Sequence, residues 1–211
     1  SVSGAWRMSE ENFWGNLDRI INEAKLRISY GSLGNQNVPG NFPYVSFYNI
    51  HSPTNYVLGG ELPVGIAAGA LISPSFTWEK VNQQNFGLDL GFLDNRLGVT
   101  LDYYHKKTTD LLLNQLTSIV NNPTTNHDPT ITRNIGSLQN TGFEFSVNYQ
   151  PVNTAQLKWS VTLNGTFQKN KILDLALNEG VEYLQVGDNI RRNYHRIQEG
   201  QPFGNFVGYQ T

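Results

Sequence analysis

The feature that most constrains this chain is a period-two alternation repeated in four segments between Phe76 and Phe167. Apolar residues recur at Phe86, Leu88, Leu90 and Phe92, then at Leu97, Val99, Leu101 and Tyr103. They recur again at Phe143, Phe145, Val147 and Tyr149, and at Trp159, Val161, Leu163 and Phe167, interrupted only by Gly165. The residues between them are polar or small: Gly87, Asp89 and Gly91; Gly98, Thr100 and Asp102; Glu144, Ser146 and Asn148; Ser160, Thr162, Asn164 and Thr166. Successive side chains of a strand point to opposite sides, so this pattern predicts strands with one apolar and one polar face.

Turn chemistry predicts how the strands connect. Asp94-Asn95 is a two-residue hairpin turn that sets Phe92 opposite Leu97, Leu90 opposite Val99, Leu88 opposite Leu101 and Phe86 opposite Tyr103. A second hairpin turns through residues 151–155, setting Tyr149 against Trp159 and Phe143 against Gly165, where an aromatic ring could cover the glycine. Asn164-Gly165 is also a hairpin signal, but the alternation continues through it and predicts one unbroken strand. Upstream, Ala24–Tyr30 alternates in the same way, and Val2–Met8 reads as the end of another strand. Between these two, Phe13, Leu17, Ile20, Ile21 and Ala24 recur at helical spacing. Ser9 as cap and Glu10-Glu11 in the first turn predict a short helix there, against Gly15.

Long stretches rich in Asn, Gly, Pro and Thr fill residues 32–75, 114–133 and 172–211, whereas short links fall at 94–95 and 151–155 and a medium one at 9–23. Short turns at one end and long loops at the other describe an outer-membrane barrel, with the loops extracellular. Only 15% of residues are charged and 12% are aromatic. Aromatics bound the apolar stripes, as at the two interfaces of a bilayer. The polar stripes carry no Lys or Arg, whereas the solvent-facing strands of a soluble domain usually carry more charge. No apolar run approaches the roughly 18 residues of a transmembrane helix, which leaves a barrel open. The competing reading is a soluble or surface-attached β-sandwich that binds glycan through loop aromatics such as Phe42, Tyr44, Phe47, Tyr48 and Tyr56. The two differ in what covers the apolar face: a second sheet in a sandwich, lipid in a barrel.

Catalytic and cofactor signals are weak. His51, His105, His127 and His195 are scattered without ligand spacing, and cysteine is absent. Glu10-Glu11 is explained by a helix start. Asp89, Asp102 and Glu144 share the polar face, but with no Trp or Tyr flanking them there they read as lining rather than as a glycoside-hydrolase pair. Gly65–Gly69 lacks the Lys, strand and helix of a phosphate loop. A net charge of -2 gives no electrostatic case for nucleic acid. The chain is expected to be no enzyme and to hold no cofactor or metal.

Five strings carry a family resemblance. They are Leu26–Gln36 (LRISYGSLGNQ), Thr77–Lys80 with Asn85–Phe92 (TWEK, NFGLDLGF), and Asp102–Leu112 (DYYHKKTTDLL). Asn134–Glu144 (NIGSLQNTGFE) and Gly200–Tyr209 (GQPFGNFVGY) complete the set. In order and spacing they resemble the late barrel strands of SusC/RagA-type TonB-dependent transporters. The resemblance implies an all-β antiparallel meander, about six strands of a large transmembrane barrel of the 22-stranded type whose lumen holds a plug. It implies a place in a bacterial outer membrane and a SusD-like surface lipoprotein partner. It also implies energy from a TonB complex through a plug and N-terminal part outside these residues, and import of oligosaccharide or peptide. Both ends of the chain read as interior points of a longer protein. On this reading the sixteen apolar residues named first face lipid. Asp89, Thr100, Asp102, Glu144, Ser146, Asn148, Ser160, Thr162 and Asn164 face the lumen.

Overall fold

The computed structural model describes residues 1–36, 48–49, 57–61, 63, 65, 67–68, 71–73, 76–116, 130–175, 182–186 and 195–206. Six strands form one antiparallel sheet: β1 (Val2–Arg7), β2 (Ile21–Asn35), β3 (Glu79–Phe92), β4 (Leu97–Thr109), β5 (Ser137–Asn153) and β6 (Lys158–Asp174). Each strand pairs with its neighbour in sequence, so the sheet is a meander. Residues 93–96 and 154–157 are tight turns at the end where residues 8–20 also connect. Residues 36–78 and 110–136 connect the strands at the opposite end.

The first hairpin keeps the predicted register without a slip, from Phe92↔Leu97 to Lys80↔Thr109. Asp94 and Asn95 both take left-handed backbone, with φ of 56° and 62°. That is the conformation a turn matching the strand twist requires, and short Asn and Asp side chains tolerate it.

The second hairpin differs from expectation by two residues. Tyr149 faces Val161 rather than Trp159, and Phe143 faces Phe167 rather than Gly165. Pro151 has no N–H to give the ladder, and a bulge sits between Tyr149 and Val152. The strand continues to Asn153, and Thr154 closes the tip instead. Its N–H donates to the Leu157 carbonyl, and the Leu157 N–H donates to Thr154 Oγ1 at 3.0 Å. A two-residue slide preserves parity, so every side chain keeps its face. Gly165 is covered all the same, by Phe145: a Cβ built on it would lie 2.6 Å from that ring.

The predicted short helix is instead two 3-10 turns, Met8–Glu10 and Gly15–Arg19, with Ile21 already in β2. Ser9 does not cap it; Arg7 precedes the first turn, without a side-chain cap. Gly15 takes φ +38°, which interrupts any continuous helix.

Left-handed backbone separates two of the strands from further extended pieces. Asp110 (φ 58°) separates β4 from Leu112–Leu116, and Gly136 (φ 101°) separates Thr130–Asn134 from β5. The two outlying pieces pair with each other. Leu71–Ile72 adds to them in parallel. Past β6, Tyr183–Val186, His195–Gln198 and Asn205–Phe206 form a small antiparallel sheet. Phe42, Tyr44, Phe47, Tyr56, His51, His127, Arg191 and Arg192 lie outside the described residues.

A single sheet has little interior. Among the described residues only Ala24, Ile172, Leu175 and Ile197 are buried hydrophobics, three of them in one cluster above β6. No second sheet covers the apolar face of the six strands among these residues. Leu163 is 61% exposed and Phe167 70%. A soluble domain rarely leaves contiguous apolar surface of more than a few hundred Å² uncovered. The described residues therefore lack the second sheet that the sandwich reading requires.

Candidate functional site

Register places all sixteen residues of the apolar set on one face. Rows run across the strands: Ile28, Phe86, Tyr103, Phe143 and Phe167 form one, and Leu26, Leu88, Leu101 and Phe145 another. Phe86 and Tyr103 approach to 6.5 Å between ring centroids, and Phe145 stacks on Phe167 at 6.4 Å.

The polar face carries the chemistry. Asp89 sits opposite Thr100, Glu144 opposite both Asp102 and Thr166, and Ser146 opposite both Thr100 and Asn164. Asn148 lies across from Thr162 and donates to its hydroxyl at 2.8 Å. Ser160 lies beside the bulge, at the margin of this array.

Alternation in β2 puts Lys25, Arg27 and Ser29 on this same face. Arg27 is the centre of an ion cluster. Its Nε and Nη2 donate to the two oxygens of Asp89 at 2.8 and 3.0 Å, a bidentate fork, and Nη2 also reaches Asp102 at 3.0 Å. The guanidinium passes over β3 to do so, and Gly87 permits it. A Cβ there would stand 2.6 Å from both Arg27 Cζ and Asp102 Oδ1.

Tyr104 corrects a sequence expectation, since it lies on the polar face beside Asp102. Its ring covers Gly142, the residue directly across the pair, and its hydroxyl meets Gln168 at 3.4 Å. Arg27, Asn85, Asp102, Tyr104, Asn140 and Glu144 line an open cleft of about 590 Å³. Arg27 and Tyr104 were both readable: Arg27 falls on the polar side of the Ala24–Tyr30 alternation, and Tyr104 extends the β4 alternation one residue past Tyr103. The cluster can orient a polar or charged group. Among the described residues no group of three His, Asp or Glu could bind a metal ion.

Above the cleft, polar side chains fix where the strands hand over to the long connections. Asn134 accepts from the Thr77 N–H at 2.7 Å and donates to the carbonyls of Thr77 and Asp110 at 2.7 and 2.9 Å. Glu79 accepts from Asn35 at 2.8 Å and from the Leu112 N–H at 3.1 Å, and Lys80 pairs with Asp110 at 3.2 Å. Residues 200–203 return against β6: the Ile172 N–H donates to Gln201, and the Phe203 N–H to Asn170 Oδ1. The five strings of the sequence resemblance supply nearly all of these contacts.

A one-layer antiparallel meander with an uncovered apolar face and a polar, ion-paired opposite face is the wall of a β-barrel. The chain belongs to the family described as TonB dependent receptor-like, beta-barrel, whose pattern it matches over residues 5–207. It is 32% identical to the TonB-dependent receptor SusC of Bacteroides thetaiotaomicron, over its whole length and 21% of that protein. It is 36% identical to the TonB-dependent receptor P39 of Formosa agariphila, over its whole length and 18% of that protein. Its backbone superposes on the RagAB peptide importer in the closed-closed state with a TM-score of 0.76, covering 97% of this chain and 20% of that one. At 22% identity that likeness is one of fold. The chain thus spans about a fifth of the length of the relatives it matches.

Proposed function

We propose that these six strands are part of the wall of an outer-membrane transporter that imports oligosaccharides or peptides and is not an enzyme. The apolar face meets lipid and the polar face lines the lumen. The long connections project outside the cell, where a SusD-like surface lipoprotein and the substrate engage them. A TonB complex supplies energy through other parts of the full protein. The observation that carries this reading is the apolar face, continuous across neighbouring strands and left without a protein layer over it. Lipid is the partner that satisfies such a face while the barrel ladder satisfies the backbone.

Cysteine labelling in cells expressing the full-length transporter tests it. Cysteines at Leu88, Leu101, Phe145 and Leu163 should resist membrane-impermeant, polar thiol reagents. Those at Asp89, Thr100, Ser146 and Thr162 should react once the lumen is open. The opposite pattern would refute the assignment.

A further inference from the structure

The connection between β1 and β2 is anomalous for its end of the sheet. Its two neighbours are the tight turns at residues 93–96 and 154–157, whereas residues 8–20 build two 3-10 turns and present bulky apolar side chains outward. Phe13 is 63% exposed, Leu17 48% and Ile20 66%. In a 3-10 helix residues three apart eclipse, so Trp14, Leu17 and Ile20 form one ridge along Gly15–Arg19.

The ridge joins the apolar face of the sheet through rings. Trp6 lies on that face, opposite Leu26, and meets Phe13 edge-on at 5.9 Å; Phe13 meets Trp14 at 6.4 Å. Both indole N–H groups are satisfied within the chain. Trp6 donates to Glu11 at 2.9 Å and Trp14 to the Ile21 carbonyl at 3.1 Å. The backbone is largely self-bonded too, with Leu17 N–H to Trp14 and Ile20 N–H to Leu17, each at 2.9 Å. The rings can therefore leave bulk water without stranding a donor. Charged groups border the ridge: Arg7 pairs with Glu10 at 2.7 Å, and Asp18 and Arg19 lie between Leu17 and Ile20 in the chain. Asn22, at the bulge that starts β2, donates to the Asp18 carbonyl and accepts from the Asp94 N–H, locking this connection to the adjacent turn.

We propose that residues 8–20 are a membrane-interface anchor. Phe13, Leu17 and Ile20 insert at the headgroup–acyl boundary of the inner leaflet of the outer membrane, and the indoles of Trp6 and Trp14 sit at headgroup level. The occupant of the ridge is phospholipid, because the ridge is continuous with the face assigned to lipid and combines self-satisfied indoles with a charged margin. That mixture suits an interface rather than the acyl core. The inference rests on the membrane reading above.

The test uses the full-length transporter reconstituted in phosphatidylcholine vesicles. A polarity-sensitive fluorophore is attached at Phe13→Cys, Leu17→Cys, Asn16→Cys or Leu101→Cys, and the acyl chains are brominated near the headgroup or near the bilayer centre. Labels at 13 and 17 should show blue-shifted emission, and they should be quenched more by shallow than by deep bromines. The label at 101 should show the reverse depth preference, and that at 16 should be quenched least. Quenching at 101 with none at 13 and 17 would overturn the anchor and leave the barrel assignment standing. So would protection of 13 and 17 from both bromines and aqueous thiol reagents, since a protein would then cover the ridge. Absence of quenching at 101 as well would overturn both.

Discussion

Leu101→Arg offers the sharpest test of which face meets lipid. Leu101 lies between Leu88 and Phe145 in the middle of the apolar face, with Tyr103 on one side along β4 and Val99 and Leu97 on the other. At about 3.3 Å per residue, Tyr103 is about 7 Å away along the strand and Leu97 about 13 Å. On the proposed orientation a guanidinium at Leu101 lies near the middle of the hydrocarbon, where Arg on a barrel's lipid face costs about 2–4 kcal/mol. That is a factor of about 30 to 900 in the folded-to-unfolded ratio. Thr100 is the adjacent residue on the same strand, but it points the other way, opposite Asp89 and Ser146. An arginine there meets water and a carboxylate and should cost under about 1 kcal/mol. The depth dependence gives an internal control, since Leu97→Arg should cost only about 0–1 kcal/mol near the interface. Urea-titrated folding of the full-length transporter into vesicles, read by heat-modifiable gel mobility, measures all three. Equal costs for Leu101→Arg and Thr100→Arg, or a cost at Leu101 no larger than at Leu97, would refute the orientation.

Three further outcomes follow from contacts in the sheet. Gly87→Ala should push Arg27 off Asp102 while the fold survives, because the crowded atoms are side-chain ends. The coupling between Arg27→Ala and Asp102→Ala in a double-mutant cycle should then vanish, and an unchanged coupling would count against the crossing. Asn134→Ala removes three hydrogen bonds and should cost about 1–3 kcal/mol locally. Hydrogen exchange should speed up at Thr77 and in the segment after Asp110 but stay slow in β3 to β6; uniform protection would show that the clamp is dispensable. The 211-residue chain alone should sediment as aggregate without detergent, because among the described residues neither edge of its sheet has a partner strand and its apolar face is uncovered. A soluble monomer with cooperative thermal unfolding would contradict that.

How far the sequence could be read depended on whether a feature is set by parity or by register. Parity is local: alternation alone groups the residues of the four stripes by side of the sheet, and the grouping survives the slide in the second hairpin. Register needs the turn. Asp94-Asn95 defines its turn unambiguously, since both residues accept left-handed backbone. Residues 151–157 offered a proline, an asparagine and a threonine, any of which can begin a turn, and the Thr154 hydroxyl decided among them. The spacing of Phe13, Leu17 and Ile20 fits an α-helix and that of Trp14, Leu17 and Ile20 a 3-10 ridge, and the positive φ of Gly15 separates the two. The Arg27–Asp102 link joins residues 75 apart across an intervening strand. It becomes visible only when two registers and the missing side chain at Gly87 are known together. The long connections carry no periodicity, which is why the sequence yields only their positions and not their conformations.

The glycines on these faces follow from the wall being one layer thick. In a two-layer domain a long side chain finds its partner in the opposing layer. Among the described residues no second sheet lies over either face of the six strands, so neighbours lie down across one another. Arg27 lies over Gly87, Tyr104 over Gly142, and Phe145 over Gly165. Each glycine directly faces the residue that covers it, and in each case a Cβ would collide. On the polar face this lets an arginine bridge carboxylates on two strands and gives Tyr104 a bed on the backbone. On the apolar face it lets Phe145 stack with Phe167 and close the gap that Gly165 would otherwise leave. A glycine-to-alanine change in this wall therefore acts first on the side chain that rests there, and only then on the strand that carries it.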